Sequence, residues 1–355
     1  MTFGADHYVP ILKVKRGEKK ALQSLRPAVQ QRITPLLEIV ERREDKSRTL
    51  REHLDTAFNE LALSVRPYSR CFLDTREIAT EGPLASAEVF RRAYEEGIEF
   101  TPVTGLSRSA DVSAAMAYRK KGIALRLTRS EFESGHLTSM IQAFIRSHNL
   151  LLEDVDLIID LGALDDFIVD GVVALAQAFL VDVPDQLRWR TLTISACAFP
   201  LSMRGVDRNS HDLVERAEWR AWRDHFHAQR DVFPRVPTFS DCAIQHPSGV
   251  EGFNPQTMQV SASVRYTAQD SWLLIKGEGR RSIPLRLQYP SLATSLVYGH
   301  LKSHFSGASH CHGCAMIRAS ANGNSGLGSP EVWRRIGTIH HLTTVAENLA
   351  ALPSP

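Results

Sequence analysis

The sequence predicts an α/β protein, a TIM-like (β/α)8 barrel with a C-terminal β-hairpin and a helical appendage. Two observations make the prediction. Between Tyr8 and Asp241, eight short apolar runs alternate with helix-like stretches: YVPILKVK, ITPLLEIV, CFLDTREI, FTPVTGL, GIALRLT, VDLIIDL, TLTISAC and TFSDCAI. Strands alternating with helices favour right-handed crossovers and a parallel sheet. Eight such units suffice to close a barrel, where six would leave an open doubly wound sheet. The second observation is chemical. Lys13, Glu38, Asp74, Thr104, Arg126, Asp160, Ser195 and Asp241 stand at or near the ends of these runs, and a closed ring would gather them at the mouth where barrels carry their sites.

The connecting segments read as helices from their apolar spacing. GEKKALQSLRPAVQQR sets Ala21, Leu22, Leu25 and Val29 on one face, and Leu50, Leu54, Phe58 and Leu61 repeat the arrangement. PLASAEVFRRAYEEG stops at Gly97, and SRSADVSAAMAYRKKG stops at Gly122 with Ser109 or Asp111 as its cap. The crossover SMRGVDRNSHDLVERAEWRAWRDHFHAQRDV is read as one long helical segment. After Asp241 the rhythm changes. A Gly/Pro-rich stretch leads into SASVRYTAQDSWLLIKGEG, two alternating runs that turn between Ala268 and Asp270 as an antiparallel hairpin. A helix near Tyr289 to Phe305 follows, and a last helix starts at Pro330 with Ser329 as its cap.

The chain of 355 residues accommodates this division, with residues 1-250 as barrel and residues 251-355 as hairpin, Cys/His loop and helix packed on the mouth. A 43% hydrophobic and 23% charged composition is ordinary for a soluble globular protein, and a net charge of +2 gives no global electrostatic case for nucleic acid. No apolar stretch has the length of a membrane span, and MTFGADHYVP lacks the basic start and apolar core of a signal peptide. The expectation is therefore a cytoplasmic protein without a membrane partner. Five cysteines in a chain this long do not form a disulfide framework, and Cys71, Cys197 and Cys242 lie in strand-like runs as small core residues.

Four groups of residues carry candidate chemistry. Glu38, Asp74, Asp160 and Asp241 are the candidate catalytic carboxylates, beside the candidate ligand-binding cations Lys13, Lys15, Arg76 and Arg126. Carboxylates around a pocket hold hard cations such as Mg²⁺, and neighbouring Arg and Lys receive phosphate oxygens. The same residues serve equally as ion pairs that hold a barrel mouth together. Cys311 and Cys314, two residues apart, are candidate Zn²⁺ ligands with His340 and His341 as partners; their bland reading is a reduced pair in a loop. A redox role for the pair is less favoured because it is not expected to open a helix in a thioredoxin-like unit. His340 and His341 are also candidate general bases over the mouth, unless His340 belongs to the packing stripe of Trp333 and Ile336. Arg265, Tyr266, Trp272 and Lys276 on the hairpin, and Arg334 on the last helix, complete the candidate binding residues. No Walker loop, GxGxxG or GxSxG occurs.

Several of these pieces taken together resemble the phage and bacterial beta protein family, named for a satellite-phage protein. The matching segments are YVPILKVKRGEKKAL with ITPLLEI, LDTRE, VDLIIDL, TFSDCAIQHP, SVRYTAQDSWLLIKGEG and GSPEVWRRIGTIHHL, which span nearly the whole chain. The resemblance implies association with mobile elements and antiphage defence. It also implies a protein partner from the same operon, a toxin or nuclease-like protein; nucleic acid or a nucleotide is the other candidate ligand, from the strand-end charges and the hairpin residues. It carries no catalytic residues. Cys242 departs from the aromatic residue expected after the eighth-run aspartate. A binding module in a defence or toxin–antitoxin-type system and a metal-assisted phosphodiester or nucleotide hydrolase are the two functional expectations.

Overall fold

The computed structural model describes residues 2–42, 48–165, 167–249, 260–324 and 327–353. The Gly/Pro-rich stretch from residue 250, the expected domain boundary included, lies outside them, as do residues 325–326 of the loop before the last helix. Eleven strands are described: β1 (Ile11–Lys13), β2 (Leu36–Glu38), β3 (Cys71–Asp74), β4 (Phe100–Thr104), β5 (Ile123–Thr128), β6 (Val155–Ala163), β7 (Thr191–Cys197), β8 (Ser210–Glu215), β9 (Thr238–Ser240), β10 (Ser261–Ala268) and β11 (Ser271–Gly279).

β1 to β7 and then β9 form one parallel sheet in chain order. Its edges meet: Tyr8 bridges Phe239, Val9 N–H donates to Phe239 O at 3.1 Å, and Ile11 N–H donates to Asp241 O at 2.8 Å. All eight apolar runs are strands of this TIM-like barrel. Side chains alternate across each strand. In β6, Leu157, Ile159 and Leu161 face the helices while Ile158 joins Val9, Ile11, Leu36, Phe72, Val103 and Ala124 in the bore. The opposite end of the bore is closed by Asp156, which takes Arg70 Nη1 and Nη2 at 2.6 and 3.1 Å, Arg190 Nη2 at 2.5 Å and the Thr191 hydroxyl at 2.7 Å.

A second sheet, ordered β10-β11-β8 and antiparallel throughout, lies over the C-terminal mouth. Its Trp272 and Leu274 enter the bore cluster beside Phe199, Val206, Cys242 and Ile244, residues that follow β7 and β9. Trp272 is fully buried, with its ring edge-on to Phe199 at 5.2 Å. Two expectations are corrected here. The long crossover is not one helix, because Ser210–Glu215 leaves it to become the outer strand of the lid, followed by the short helix Ala217–Ala221 and a wide turn to His227. Asp111 does not cap its helix: its carboxylate takes the Thr104 and Thr75 hydroxyls at 2.7 and 3.2 Å and pairs with Arg108.

The last helix, Pro330–Ala351, starts as expected, with Ser329 Oγ accepting from Val332 N–H at 3.3 Å. It packs on β10 and on the first helix, Arg16–Gln23. Gly337 permits that approach, since a β-carbon there would stand 2.7 Å from Arg265 O. Among the described residues no helix is long and apolar enough to cross a membrane.

Candidate functional site

The strand register builds the mouth. Lys13 stands beside Glu38, Glu38 beside Asp74, and Asp160 beside Ser195, which pairs with Ser240. Arg126 comes from β5 into the centre of this ring and is 2% exposed. Its Nη1 donates to Glu38 Oε1 and to Asp74 Oδ2, both at 2.7 Å, while Nε and Nη2 donate to Asp160 Oδ2 at 2.9 and 2.7 Å.

The remaining carboxylate oxygens are also engaged. Glu38 Oε2 lies 3.0 Å from Lys13 Nζ, and Lys13 also pairs with Glu77. Asp74 Oδ1 accepts from Arg108 Nη2 at 2.7 Å and from Arg76 N–H at 2.9 Å. Asp160 Oδ1 accepts from Gly162 N–H at 2.9 Å. Burial alone would raise the Asp74 pKa, but Arg108 and Arg126 outweigh it and hold the carboxyl well below its usual range. Glu38 is held low in the same way, against burial, by Arg126 and Lys13. Burial works against the Arg126 charge, yet its three carboxylates keep the guanidinium firmly protonated. Removing one partner from such a buried set typically costs about 3–5 kcal/mol, because it strands an uncompensated charge. Arg76 is the outlying member. It sits 3.5 Å from Asp160 with its side chain 48% exposed, and Lys15 is exposed at the start of the first helix.

Asp241 does not join this ring. Phe239 packs outward and Ser240 pairs within the ring's register, so alternation turns Asp241 out of the bore. There its carboxylate accepts from Tyr8 OH at 2.5 Å and from His341 Nε2 at 3.0 Å, with Arg216 Nη2 3.7 Å away. The other His341 nitrogen, Nδ1, meets the Thr267 hydroxyl at 2.8 Å. Burial pushes the His341 pKa down against the pull of Asp241, so the ring is neutral at pH 7. Both its nitrogens are engaged and it is fully buried, which corrects the expectation of a general base over the mouth. The group instead ties β1, the end of β9, the lid strand β10 and the last helix together.

His340 faces elsewhere because successive helix residues are turned by about 100°. Its Nδ1 lies 3.3 Å from Cys314 Sγ and 3.9 Å from Cys311 Sγ, and its Nε2 lies 2.8 Å from Thr267 O. The cysteine pair opens the helix His312–Ala321, with Cys311 Sγ accepting from Cys314 N–H at 3.3 Å. The pair does open a helix, although not in a thioredoxin-like unit: the described strands form a parallel barrel and an antiparallel lid. The hydrogen bond from Cys314, reinforced by His340, holds the Cys311 thiol low against burial, and Cys314 is correspondingly pushed up. His341 is not part of this cluster. His310 is: ligand atoms of His310, Cys311 and His340 lie within 4.8 Å of one another.

The hairpin cations serve the fold. Lys276 Nζ donates to Met203 O and Val206 O at 2.9 and 2.6 Å, and Arg265 Nη1 donates to Ile244 O at 2.8 Å with its guanidinium over Phe199. Arg334 lies against Gly17 of the first helix. Sequence reasoning missed Arg108, Asp111, Glu77, Tyr8, Thr267 and His310. Arg108 sits at the start of the helix Ser109–Ala117, three residues before Asp111, a spacing that was the available signal for that pair.

A family model described as Beta protein matches residues 8–347, and no curated protein matches the chain. The matched span includes the whole barrel, the lid and all but the end of the last helix. The chain belongs to the Beta protein family.

Proposed function

We propose that this protein is a recognition module of an antiphage defence or toxin–antitoxin-type system and that it engages a partner protein through the C-terminal mouth of its barrel. The complete pairing of Glu38, Asp74 and Asp160 carries the reading, because every oxygen of these carboxylates already accepts from an Arg, a Lys or a backbone N–H. A hard cation needs several free oxygens. At this mouth it would have to displace a guanidinium, the Lys13 ammonium or a backbone N–H from each one. A set of buried, compensated charges instead makes a rigid base for the residues above it. Arg76 and Lys15 are the exposed cations of that rim, suited to acidic groups on a partner, and arginine is enriched among residues that dominate interfaces. The mobile-element setting implied by the family resemblance supplies the biological context.

Arg76→Glu tests the proposal, because its side chain is half-exposed at the edge of the paired ring. Cells carrying the native locus with this variant are expected to lose phage protection by tenfold or more in plating efficiency, while the purified variant unfolds like the wild type. Full protection would overturn the reading. Phosphodiester hydrolysis by the wild type with added Mg²⁺, abolished by Asp160→Asn, would replace it with the hydrolase.

A further inference from the structure

We propose that Cys311, Cys314, His340 and His310 form a structural zinc site that fastens the Cys/His loop to the last helix and the lid. The donor set is the first argument. Two thiolates and two imidazoles are the ligands of closed, tetrahedral zinc sites, and they exclude the hard cations.

Geometry is the second. Zinc–sulfur and zinc–nitrogen bonds of about 2.3 and 2.0 Å place tetrahedral ligand atoms roughly 3.5–3.8 Å apart. The separations of His340 Nδ1 from the two sulfurs, 3.3 and 3.9 Å, bracket that spacing. The tautomer also fits. Thr267 O only accepts, so His340 Nε2 carries a proton, which leaves Nδ1, the nitrogen that faces the sulfurs, as the one to take a metal. A backbone carbonyl on the far nitrogen is the usual support of a metal-bound histidine.

The surroundings hold this arrangement. Tyr266 stacks on the His340 ring with centroids 3.8 Å apart and fixes its plane. Gly313, between the cysteines, brings their loop onto the last helix, where a β-carbon would stand 2.5 Å from Ile336 O. His310 would supply the fourth ligand, with a ring nitrogen within 4.8 Å of the ligand atoms of Cys311 and His340. Its Nε2 faces Thr344 Oγ1 at 3.1 Å and its Nδ1 faces Glu347 Oε2 at 3.3 Å, so whichever nitrogen takes the metal, the other keeps a supporting partner. Each thiol gives up its proton to solvent as zinc binds. A thiol-exchange role is disfavoured by burial, since Cys311 is 3% exposed and Cys314 fully buried.

Elemental analysis of the full-length protein, purified without chelator from zinc-replete cells, is expected to find close to one zinc per chain. Exchange for Co²⁺ is expected to give the visible bands of a tetrahedral ion and a near-ultraviolet thiolate charge-transfer band. Cys311→Ser with Cys314→Ser should remove both signals. Because those variants can fail to fold, the partly exposed His310 offers a second route. His310→Ala should weaken zinc at least about tenfold, the lower bound for losing even an outer partner, and His310→Cys should restore it. Zinc near zero with no cobalt spectrum would overturn the proposal. So would an intact mass two hydrogens lower without reductant, which would mark a Cys311–Cys314 disulfide.

Discussion

At the scale of single residues, burial decides which charges the protein tolerates. Arg126 is tolerated because three carboxylates surround it. Glu218 is different. It is buried with its nearest cation, Arg216, at 3.8 Å, and burial pushes its carboxyl up to about 8 against the pull of Arg216. The folded chain therefore keeps a proton that the unfolded chain releases above the usual carboxylate value. The stability tied to Glu218 is present at acid pH and is lost as pH rises through about 8. Glu218→Gln should remove that loss. Urea unfolding is expected to show the variant and wild type closest near pH 5 and the variant more stable near pH 9, by on the order of 3 kcal/mol. Parallel stability curves at the two pH values would show that Glu218 is ionised in the fold. Residue identity was legible where a strand end fixed it, as for Glu38, Asp74, Asp160 and Lys13. Tyr8 and His341 were not legible as partners, because 333 residues separate them and the last helix must dock on the first helix and β10 to bring them together.

At the scale of elements, the lid shows what alternation reveals and what it hides. SASVRYTAQDSWLLIKGEG reads as a hairpin because buried and exposed residues alternate along β10, and the two-residue turn at Gln269–Asp270 joins the strands as expected. The third strand, β8, sits on the outside of that sheet with mostly exposed side chains. A strand of this kind has no apolar face to advertise, so SHDLVE disappears into a polar crossover. Trp272 is the element's anchor in the bore. Trp272→Ala is expected to destabilise the protein by about 3–5 kcal/mol through cavity formation and to loosen the lid. Hydrogen exchange would report this as faster exchange in β10 and β11 than in the barrel strands. A loss under 1 kcal/mol, on the order of a surface change, would show that Trp272 is not the lid's anchor.

At the scale of the molecule, the barrel was readable because each strand repeats one physical statement: an apolar stretch to bury, then a polar residue at the mouth. Which polar residues share that mouth depended on side-chain alternation past the strand ends. One residue of register sends Asp241 outward to His341 while Ser240 keeps its place in the ring. The result is a barrel whose mouth carries an apolar lid and a ring of paired charges.

Mn²⁺ titration of the purified protein, followed by electron paramagnetic resonance, tests the central claim that these carboxylates are spent on cations of the chain. The account predicts that Mn²⁺ remains free at stoichiometric concentrations, with identical titrations for wild type and Asp160→Asn. One tightly bound Mn²⁺ per wild-type chain, absent from Asp160→Asn, would contradict it.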